Sequence, residues 1–281
     1  HYSTSMLYEE TGTIDGDKLL GPDDPAPFEV VNPAGKSQIV ICSDHASARI
    51  PRAMENLGLE PSELERHIAV DIGAADVARR LAEFFDAPAV LAGYSRLVID
   101  CNRPIDDHTS VRVISDGTVI PGNRRLSSAQ LDARAHAVFW PYHRAIAAEV
   151  AARRDGPRCP VILSIHSYTG VMNGVARPWQ LGVLSSWDRR IADPLLEALR
   201  ADKGLTIGDN QPYTGLDLYG YTIETHALPV GLPNVLLEFR QDDIGTPEKA
   251  KVWAERVALA LRPILDDPEL HVPYSGARDR G

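Results

Sequence analysis

Short apolar runs alternate with longer amphipathic segments along most of the 281-residue chain. Continuous apolar runs of this length are typical of strands that are buried on both faces of a sheet. We therefore expect six buried strands: QIVICS (38–43), APAVLAG (87–93), SRLVIDCN (95–102), VILSI (161–165), QLGVLSS (180–186) and NVLLEFRQ (234–241).

The segments between these runs predict helices. Residues 61–86 open with the helix-start signal Pro-Ser-Glu and carry apolar residues at helical spacing, with an interruption expected at Gly73. Similar patterns predict a long amphipathic helix over 128–154, a helix over 187–204 and a closing helix over 246–265. The turn-rich stretch DGTVIPGN predicts a hairpin or an excursion over a pocket.

Apolar strands that alternate with helices favour one fold class: α/β, a mostly parallel mixed sheet with helices on both faces. Residues 1–37 are polar and contain several prolines, and we expect an N-terminal extended arm there. Residues 38–270 are predicted to form a single catalytic α/β domain, and residues 271–281 a C-terminal tail. The chain shows no internal repeat.

The composition restricts the partners. The formal net charge is −10 and no basic stripe occurs, which argues against a nucleic-acid or anionic-membrane partner. The three cysteines form no Cys-x-x-Cys pair, which indicates free thiols in a reducing compartment. No signal-peptide pattern and no apolar run of membrane-spanning length is present. We therefore expect a cytoplasmic protein, and the oligomeric state stays open.

Polar residues cluster where four of the apolar runs end. In a parallel sheet the carboxyl ends of the strands meet at one edge, where ligands bind. His45 and His166 lie at two such ends, and imidazoles suit Zn²⁺. Asp71 is the first candidate for a third ligand, and the neighbouring Asp44 is a weaker one. The alternative for His166 is an inert, hydrogen-bonded core histidine.

Two further strand ends carry candidate catalytic groups. Glu238 follows the apolar run NVLL, so partial desolvation would raise its pKa and suit it to act as a general base. Its alternative is an ion pair with Arg240, which strand alternation places on the same face. Asn102 and Arg103 are candidate donors to a carboxylate or an oxyanion, or they form a simple turn before Pro104.

Other polar residues are candidates for substrate binding. Arg96, Arg177 and Arg240 could clamp a carboxylate, because a guanidinium binds that group in a bidentate manner, or they could form surface salt bridges. His226 is expected either to face the site or to lie on a solvated loop, and Tyr221 to belong to a lid or an ordinary loop. The chain lacks the Gly-x-Ser-x-Gly pattern of many serine hydrolases.

Several motifs, in order along the chain, resemble those of the N-formylglutamate amidohydrolase family. They span about residues 38–266: SDHASARIP, VDIGA, SRLVIDCNRP, PGN, PYH, HSYTG, THALPVGLPNV and LEFRQDD. The pieces SIHSYTG, CNRP and LLEFRQDD are also similar to the motifs of zinc carboxypeptidases.

The resemblance implies a phosphorylase/hydrolase-like fold, like that of the zinc carboxypeptidases, and one catalytic Zn²⁺ per chain. It implies His45 and His166 as ligands and Glu238 as the acid/base. The carboxypeptidases take two ligands from His-x-x-Glu, whereas the residue three positions after His45 here is Ala48. Asp71 is therefore the expected substitute for that missing carboxylate.

The expected activity is zinc-dependent hydrolysis of the amide of an N-formyl or N-acyl amino acid, a small carboxylated amide. A zinc carboxypeptidase-like enzyme or a γ-glutamyl hydrolase is an alternative, and so is a non-catalytic member of the fold that binds carboxylates. The presence of Glu238 with both His45 and His166 favours hydrolysis over simple binding.

Overall fold

A single mixed sheet organises the protein. The structure, a computed structural model, describes residues 19–276. Within these residues the main sheet has seven strands: β1 (Phe28–Val31), β2 (Ile39–Ser43), β3 (Ala89–Ala92), β6 (Val161–Tyr168), β9 (Leu181–Leu184), β10 (Ile207–Asp209) and β11 (Asn234–Arg240). Two small hairpins add β4 (Ile114–Ser115) with β5 (Thr118–Val119) and β7 (Val171–Met172) with β8 (Val175–Ala176).

The spatial order of the main sheet is β1-β3-β2-β6-β11-β9-β10. Strands β3, β2, β6 and β11 are parallel to one another, whereas β1 pairs antiparallel with β3, and β9 pairs antiparallel with β11. The parallel centre brings the carboxyl ends of β2, β6 and β11 to one edge. That edge is where the sequence predicts the site.

Seven α-helices occur in residues 19–276: α1 (Ala74–Phe85), α2 (Ser128–Arg134), α3 (Trp140–Arg154), α4 (Ala192–Arg200), α5 (Thr222–His226), α6 (Gln241–Ile244) and α7 (Pro247–Leu265). A π-helical turn over Ala135–Phe139 joins α2 to α3, so the predicted helix over 128–154 forms with one irregular turn. It begins at Ser127, whose side chain and that of Gln130 form a capping box.

The sheet is buried on both faces. Ile41 on β2 packs into a cluster with α1, α4 and α7, while its neighbour Val40 packs into a second cluster with α3 and α5. Successive residues of a strand point to opposite faces, so an entirely apolar strand serves two cores at once. The predicted fold class is confirmed. None of the helices in the described part of the chain is long and apolar enough to cross a membrane.

One predicted strand is wrong. The run SRLVIDCN forms turns, although Leu97, Val98 and Ile99 are buried as expected. The hydroxyl of Ser95 accepts a hydrogen bond from the Leu97 backbone N–H at 3.1 Å and donates to the Ala69 carbonyl at 2.6 Å. A serine that bonds its neighbouring backbone competes with strand pairing, so the apolar pattern predicted burial but not conformation.

Of the helix predicted for 61–86, Pro61–Glu65 forms a short 3₁₀ helix, and the α-helix begins only after Gly73. Gly73 lies at φ +79°, and a Cβ there would be 2.2 Å from the Ile244 carbonyl oxygen. Residues 66–72 form turns, within which the Asp71 backbone N–H donates to the His45 carbonyl. These turns carry Asp71 towards the end of β2.

The chain ends lie partly outside the described residues. Of the predicted arm 1–37, residues 1–18 are not described, and Phe28–Val31 form the edge strand β1. Residues 277–281 of the predicted tail are not described either, so the domain boundaries stay a prediction. The hairpin predicted in the stretch 116–123 forms as β4–β5.

Candidate metal centre and active-site cleft

Three buried side chains converge at the carboxyl edge of the sheet. His45 follows β2, His166 lies within β6, and Asp71 lies on the turn before α1; the three residues are 3%, 3% and 4% exposed. One nitrogen or oxygen atom of each lies within 4.8 Å of the others. The structure therefore brings together the three predicted ligands in a set that could hold a metal ion.

The two imidazoles point the same nitrogen at the centre. His166 Nδ1 lies 2.9 Å and His45 Nδ1 3.3 Å from Asp71 Oδ2. Their other nitrogens donate outwards: His45 Nε2–H to Asp100 Oδ1 at 2.6 Å, and His166 Nε2–H to Asp44 Oδ2 at 2.8 Å. Metal-binding histidines usually donate their free N–H to a carboxylate, so the donor set fits a metal ion.

The charges around this centre also fit a cation. Burial opposes the protonation of His166, but its hydrogen bonds to Asp44 and Asp71 outweigh this and raise its pKa well above the usual value. Burial likewise opposes ionisation of Asp71, yet the charge of His45 and the hydrogen bond to His166 lower the pKa of Asp71. A bound metal ion would take the place of protons on the inner nitrogens.

Asp44 is oriented by two hydroxyls. Its Oδ1 accepts hydrogen bonds from the Tyr142 hydroxyl at 2.7 Å and the Thr222 hydroxyl at 2.6 Å, while its Oδ2 accepts from His166. Asp44 therefore supports a ligand and is not among the three convergent donors.

Arg96 is held by carboxylates of the same centre. It donates to Asp100 Oδ2 at 3.1 Å and to Asp71 Oδ1 at 3.4 Å. Its predicted role was to bind a substrate carboxylate. Arg96 also lines the cleft, so its contact with a substrate stays a prediction, while these two hydrogen bonds orient the acidic groups of the candidate centre.

Glu238 lies beside the centre on β11, where its Cα pairs with that of His166 on β6. It is 8% exposed, and its Oε2 has no hydrogen-bond partner among the described residues. Burial raises the pKa of Glu238 to about 7. The ion pair with Arg240, the alternative from the sequence, does not form, because Arg240 pairs with Asp242 and Asp243. Glu238 lines the cleft, so its carboxylate borders the space that a ligand would occupy, while its Oε2 is buried without a partner.

A cleft of about 860 Å³ opens over these groups. This volume suits a small-molecule ligand. The cleft wall includes the three convergent donors and Glu238, together with other polar and aromatic side chains: Arg96, Asn102, Arg103, Arg112, Tyr168, Arg177 and Tyr213.

The predicted binding residues divide into two groups. Asn102, Arg103 and Arg177 line the cleft. The Oδ1 atom of Asn102 accepts from the backbone N–H groups of Tyr221 and Thr222, so this oxygen fixes the start of α5 and its amide nitrogen is left for the cleft. Arg177 donates to the Thr169 carbonyl and the Tyr213 hydroxyl.

Arg240, His226 and Tyr221 are not among the residues that line the cleft. The ion pairs of Arg240 with Asp242 and Asp243 hold its guanidinium away from the cleft. His143 Nε2–H donates to the Cys101 carbonyl, so its Nδ1 accepts from His226 Nε2–H at 3.0 Å. Burial lowers the pKa of His226 to about 3, and the ring of Tyr221 packs on that of His143. The predicted substrate contacts of these three residues are not supported by their positions.

Sequence reasoning missed several residues that support the site. Asp100 is a polar residue within an apolar run, which is a usable signal, but the run itself predicts a strand. Tyr142 and Thr222 lie 98 and 178 residues from Asp44 in sequence, and no local pattern connects them with it.

The family model for N-formylglutamate amidohydrolase matches residues 37–244. The chain belongs to the N-formylglutamate amidohydrolase family. Comparison with curated proteins finds no match.

Two solved structures are similar to this chain. A gene product of Agrobacterium tumefaciens has 36% sequence identity and a TM-score of 0.85, covering 88% of this chain and 98% of that chain. An N-formylglutamate amidohydrolase from Ralstonia eutropha has 18% identity and a TM-score of 0.65, covering 88% of this chain and 100% of that one. The second similarity concerns the fold. The family match confirms the resemblance seen in the sequence. As its name states, the N-formylglutamate amidohydrolase family acts on amides.

Proposed function

We propose that this protein is a zinc-dependent amidohydrolase that cleaves the amide of an N-formyl or N-acyl amino acid. The observation that carries the proposal is the convergence of His45 Nδ1, His166 Nδ1 and Asp71 Oδ2 beside the unpaired Oε2 of Glu238. The set combines three donors of the type zinc prefers with one buried proton acceptor.

Zinc is the metal that this donor set favours. Two imidazole nitrogens and one carboxylate oxygen match the three protein ligands of a catalytic zinc site, which keeps a position open for water or substrate. Asp100 and Asp44 hold the two imidazoles in the orientation that ligation requires. We accordingly propose one Zn²⁺ per chain.

The chain's own residues perform the proton transfers in this proposal. A zinc ion bound there would supply Lewis acidity, polarising a substrate carbonyl and making a water more acidic. Glu238, with a pKa near neutrality, accepts the proton of the attacking water and delivers it to the leaving amide nitrogen. Arg103 and the amide nitrogen of Asn102 are the cleft donors available to a developing oxyanion or a substrate carboxylate.

The cleft supports a small carboxylated amide as substrate. Arg103 and Arg177 contribute positive charge to its wall. Cys42, Cys101 and Cys159 are free thiols, which supports a reducing, cytoplasmic location. The presence of Glu238 with both histidines argues against a non-catalytic binding role.

The test combines metal content with turnover. Wild type, His166→Ala and Glu238→Gln are purified with added zinc, analysed for metal, and assayed on N-formyl and N-acyl amino acids. We expect about one zinc per chain in wild type and Glu238→Gln, loss of zinc in His166→Ala, and hydrolysis by wild type alone. Wild type that takes up no zinc, or a Glu238→Gln variant of unchanged kcat, would overturn the proposal.

A further inference from the structure

Arg112 is a half-buried cation on the cleft wall, two residues before β4. Its guanidinium forms no hydrogen bond or ion pair with any residue in the range 19–276. Arginine side chains that are withdrawn from water normally have such partners, because a buried charge is costly unless it is paired. An unpaired guanidinium aimed into a ligand cleft indicates that its partner is a ligand.

Each of the other cleft arginines has at least one hydrogen-bond partner among the described residues. Arg96 donates to Asp71 and Asp100, and Arg177 donates to Thr169 and Tyr213. Arg103 donates to the Asn102 carbonyl. Arg112 is thus the cleft arginine with no partner of its own in the described chain.

The surroundings of Arg112 disfavour its positive charge, which a bound anion would stabilise. Burial lowers its pKa, and the positive charges of Arg96 and Arg103 lower it further. Asp100 and Asp107 oppose this effect, but both carboxylates are in use. Asp100 accepts from His45 and Arg96, and Asp107 accepts from the hydroxyl and backbone N–H of Thr109.

The backbone that carries Arg112 is fixed by buried polar contacts. The amide nitrogen of Asn123 donates to the Arg112 carbonyl at 2.8 Å and to the Leu97 carbonyl at 2.9 Å. The Oδ1 atom of the same Asn123 accepts from Arg134 at 2.6 Å. The backbone position of Arg112 is therefore set before a ligand arrives, so that binding has to order only the side chain.

We propose that Arg112 is the principal anion-binding residue of the cleft and that it binds a carboxylate of the amide substrate, with Arg103 beside it. A guanidinium suits this role because its planar donors match the two oxygens of a carboxylate. That the bound carboxylate belongs to a substrate rests on the function proposed above, whereas the anion subsite itself does not.

The first experiment removes each side of the contact in turn. Wild type and Arg112→Gln are assayed on N-formylglutamate, on N-formylglutamine, which lacks the side-chain carboxylate, and on the α-amide of N-formylglutamate. A charge-assisted hydrogen bond predicts a loss of roughly 10- to 100-fold in kcat/KM for Arg112→Gln on N-formylglutamate. On one of the two amides the same substitution is expected to have little effect, because the carboxylate that Arg112 binds is absent there.

Two variants control for non-specific effects. Arg124→Gln makes the same charge change at an exposed arginine that does not line the cleft, and we expect wild-type kinetics. Arg112→Lys keeps the charge and is expected to recover part of the loss. An equal loss for Arg112→Gln on all three substrates, or no loss on any, would overturn the proposal.

A binding measurement separates this inference from the proposed function. Binding of glutarate is measured by titration calorimetry with a chelator present, so that neither zinc nor turnover contributes. We expect wild type and Arg124→Gln to bind alike and Arg112→Gln to bind at least about 10-fold more weakly. If that pattern appears in a protein that hydrolyses no amide, the subsite stands and the proposed function fails. If hydrolysis occurs but glutarate does not bind wild type, or binds both variants equally, the subsite is wrong.

Discussion

Glu238 and His166 are register partners on adjacent parallel strands, β11 and β6. Paired residues on neighbouring strands project from the same face, so the sheet fixes the proposed base beside the proposed ligand. The residues on either side, Leu237 and Phe239, point into the core beneath α1 and α7. A shift of one residue in this register would exchange Glu238 with an apolar side chain, so core packing also protects the geometry of the site.

Replacing Asp100 with asparagine should weaken zinc binding without removing a ligand. Asp100 accepts from His45 Nε2–H and from Arg96, so the variant loses the carboxylate that orients the imidazole. Losses of about 10- to 100-fold in metal affinity are typical for such changes. Competition with a chromophoric chelator measures the affinity, and Asp106→Asn, an exposed carboxylate nearby, is the matched control. Equal affinities for the two variants would contradict the assigned role.

Glu238→Gln should lower kcat while leaving zinc content unchanged. General acid–base catalysis typically contributes about 10²- to 10⁴-fold in rate, and a loss of that size is expected. Glutamine keeps the shape but accepts no proton from the attacking water. Steady-state kinetics beside elemental analysis check this prediction. A loss of zinc together with activity would instead identify Glu238 as a ligand.

The same substitution should stabilise the metal-free protein, and more so at higher pH. Burial raises the pKa of Glu238 from 4.5 to about 7, so the folded state disfavours the carboxylate. The stability that this group contributes is fully present below about pH 4.5 and is lost as pH rises through 7. The advantage of Glu238→Gln should therefore grow by up to about 1.4 kcal/mol per pH unit across that interval and then level off.

Urea unfolding of both proteins with a chelator present, at pH 5, 6, 7 and 8, measures this difference. Groups that titrate identically in the two proteins cancel in the comparison. A free-energy difference that does not change with pH would show that Glu238 has an ordinary pKa.

Gly73→Ala should destabilise the protein more than Gly117→Ala. Both glycines have left-handed backbones, at φ +79° and +75°, where a Cβ costs about 1–2 kcal/mol. A Cβ at Gly73 would also meet the Ile244 carbonyl, whereas one at Gly117 would meet nothing within 4 Å. We expect a further loss of about 1–3 kcal/mol for Gly73→Ala, of the size that overpacking causes. Equal denaturation midpoints would show that the backbone at Gly73 relaxes freely.

Much of the fold and the three convergent donors could be predicted locally. The runs that became β2, β3, β6, β9 and β11 are apolar because both faces of the sheet are covered, and this leaves a clear signal in sequence. His45 and His166 interrupt or follow such runs, so they stood out as residues with a function. The strand predicted for 95–102 is wrong because buried turns and buried strands show the same apolar pattern. The hydrogen bonds that form the turn, from the Leu97 N–H to the Ser95 hydroxyl and from the Val98 N–H to the Ser95 carbonyl, leave no such pattern.

The contacts that distinguish similar residues could not be read from the chain. Arg240 and Arg112 are both arginines near motif residues, yet Arg240 pairs with acids next to it in sequence, while Arg112 faces the cleft without a partner. His226 lies in a motif, as the site histidines do, but its ring is buried beside that of His143. Such differences depend on which groups meet across the fold.

The sequence by itself determined the strands β2, β3, β6, β9 and β11, the amphipathic helices, and the polar residues that the strands carry to one edge, because periodicity and burial act on neighbouring residues. The tertiary structure alone decided which nitrogen of each histidine faces the centre. It did so by placing Asp100 and Asp44 behind His45 and His166, with Tyr142 and Thr222 in turn holding Asp44. Side-chain hydrogen bonds between distant segments have no local sequence period, so they exist as a pattern only once the chain has folded.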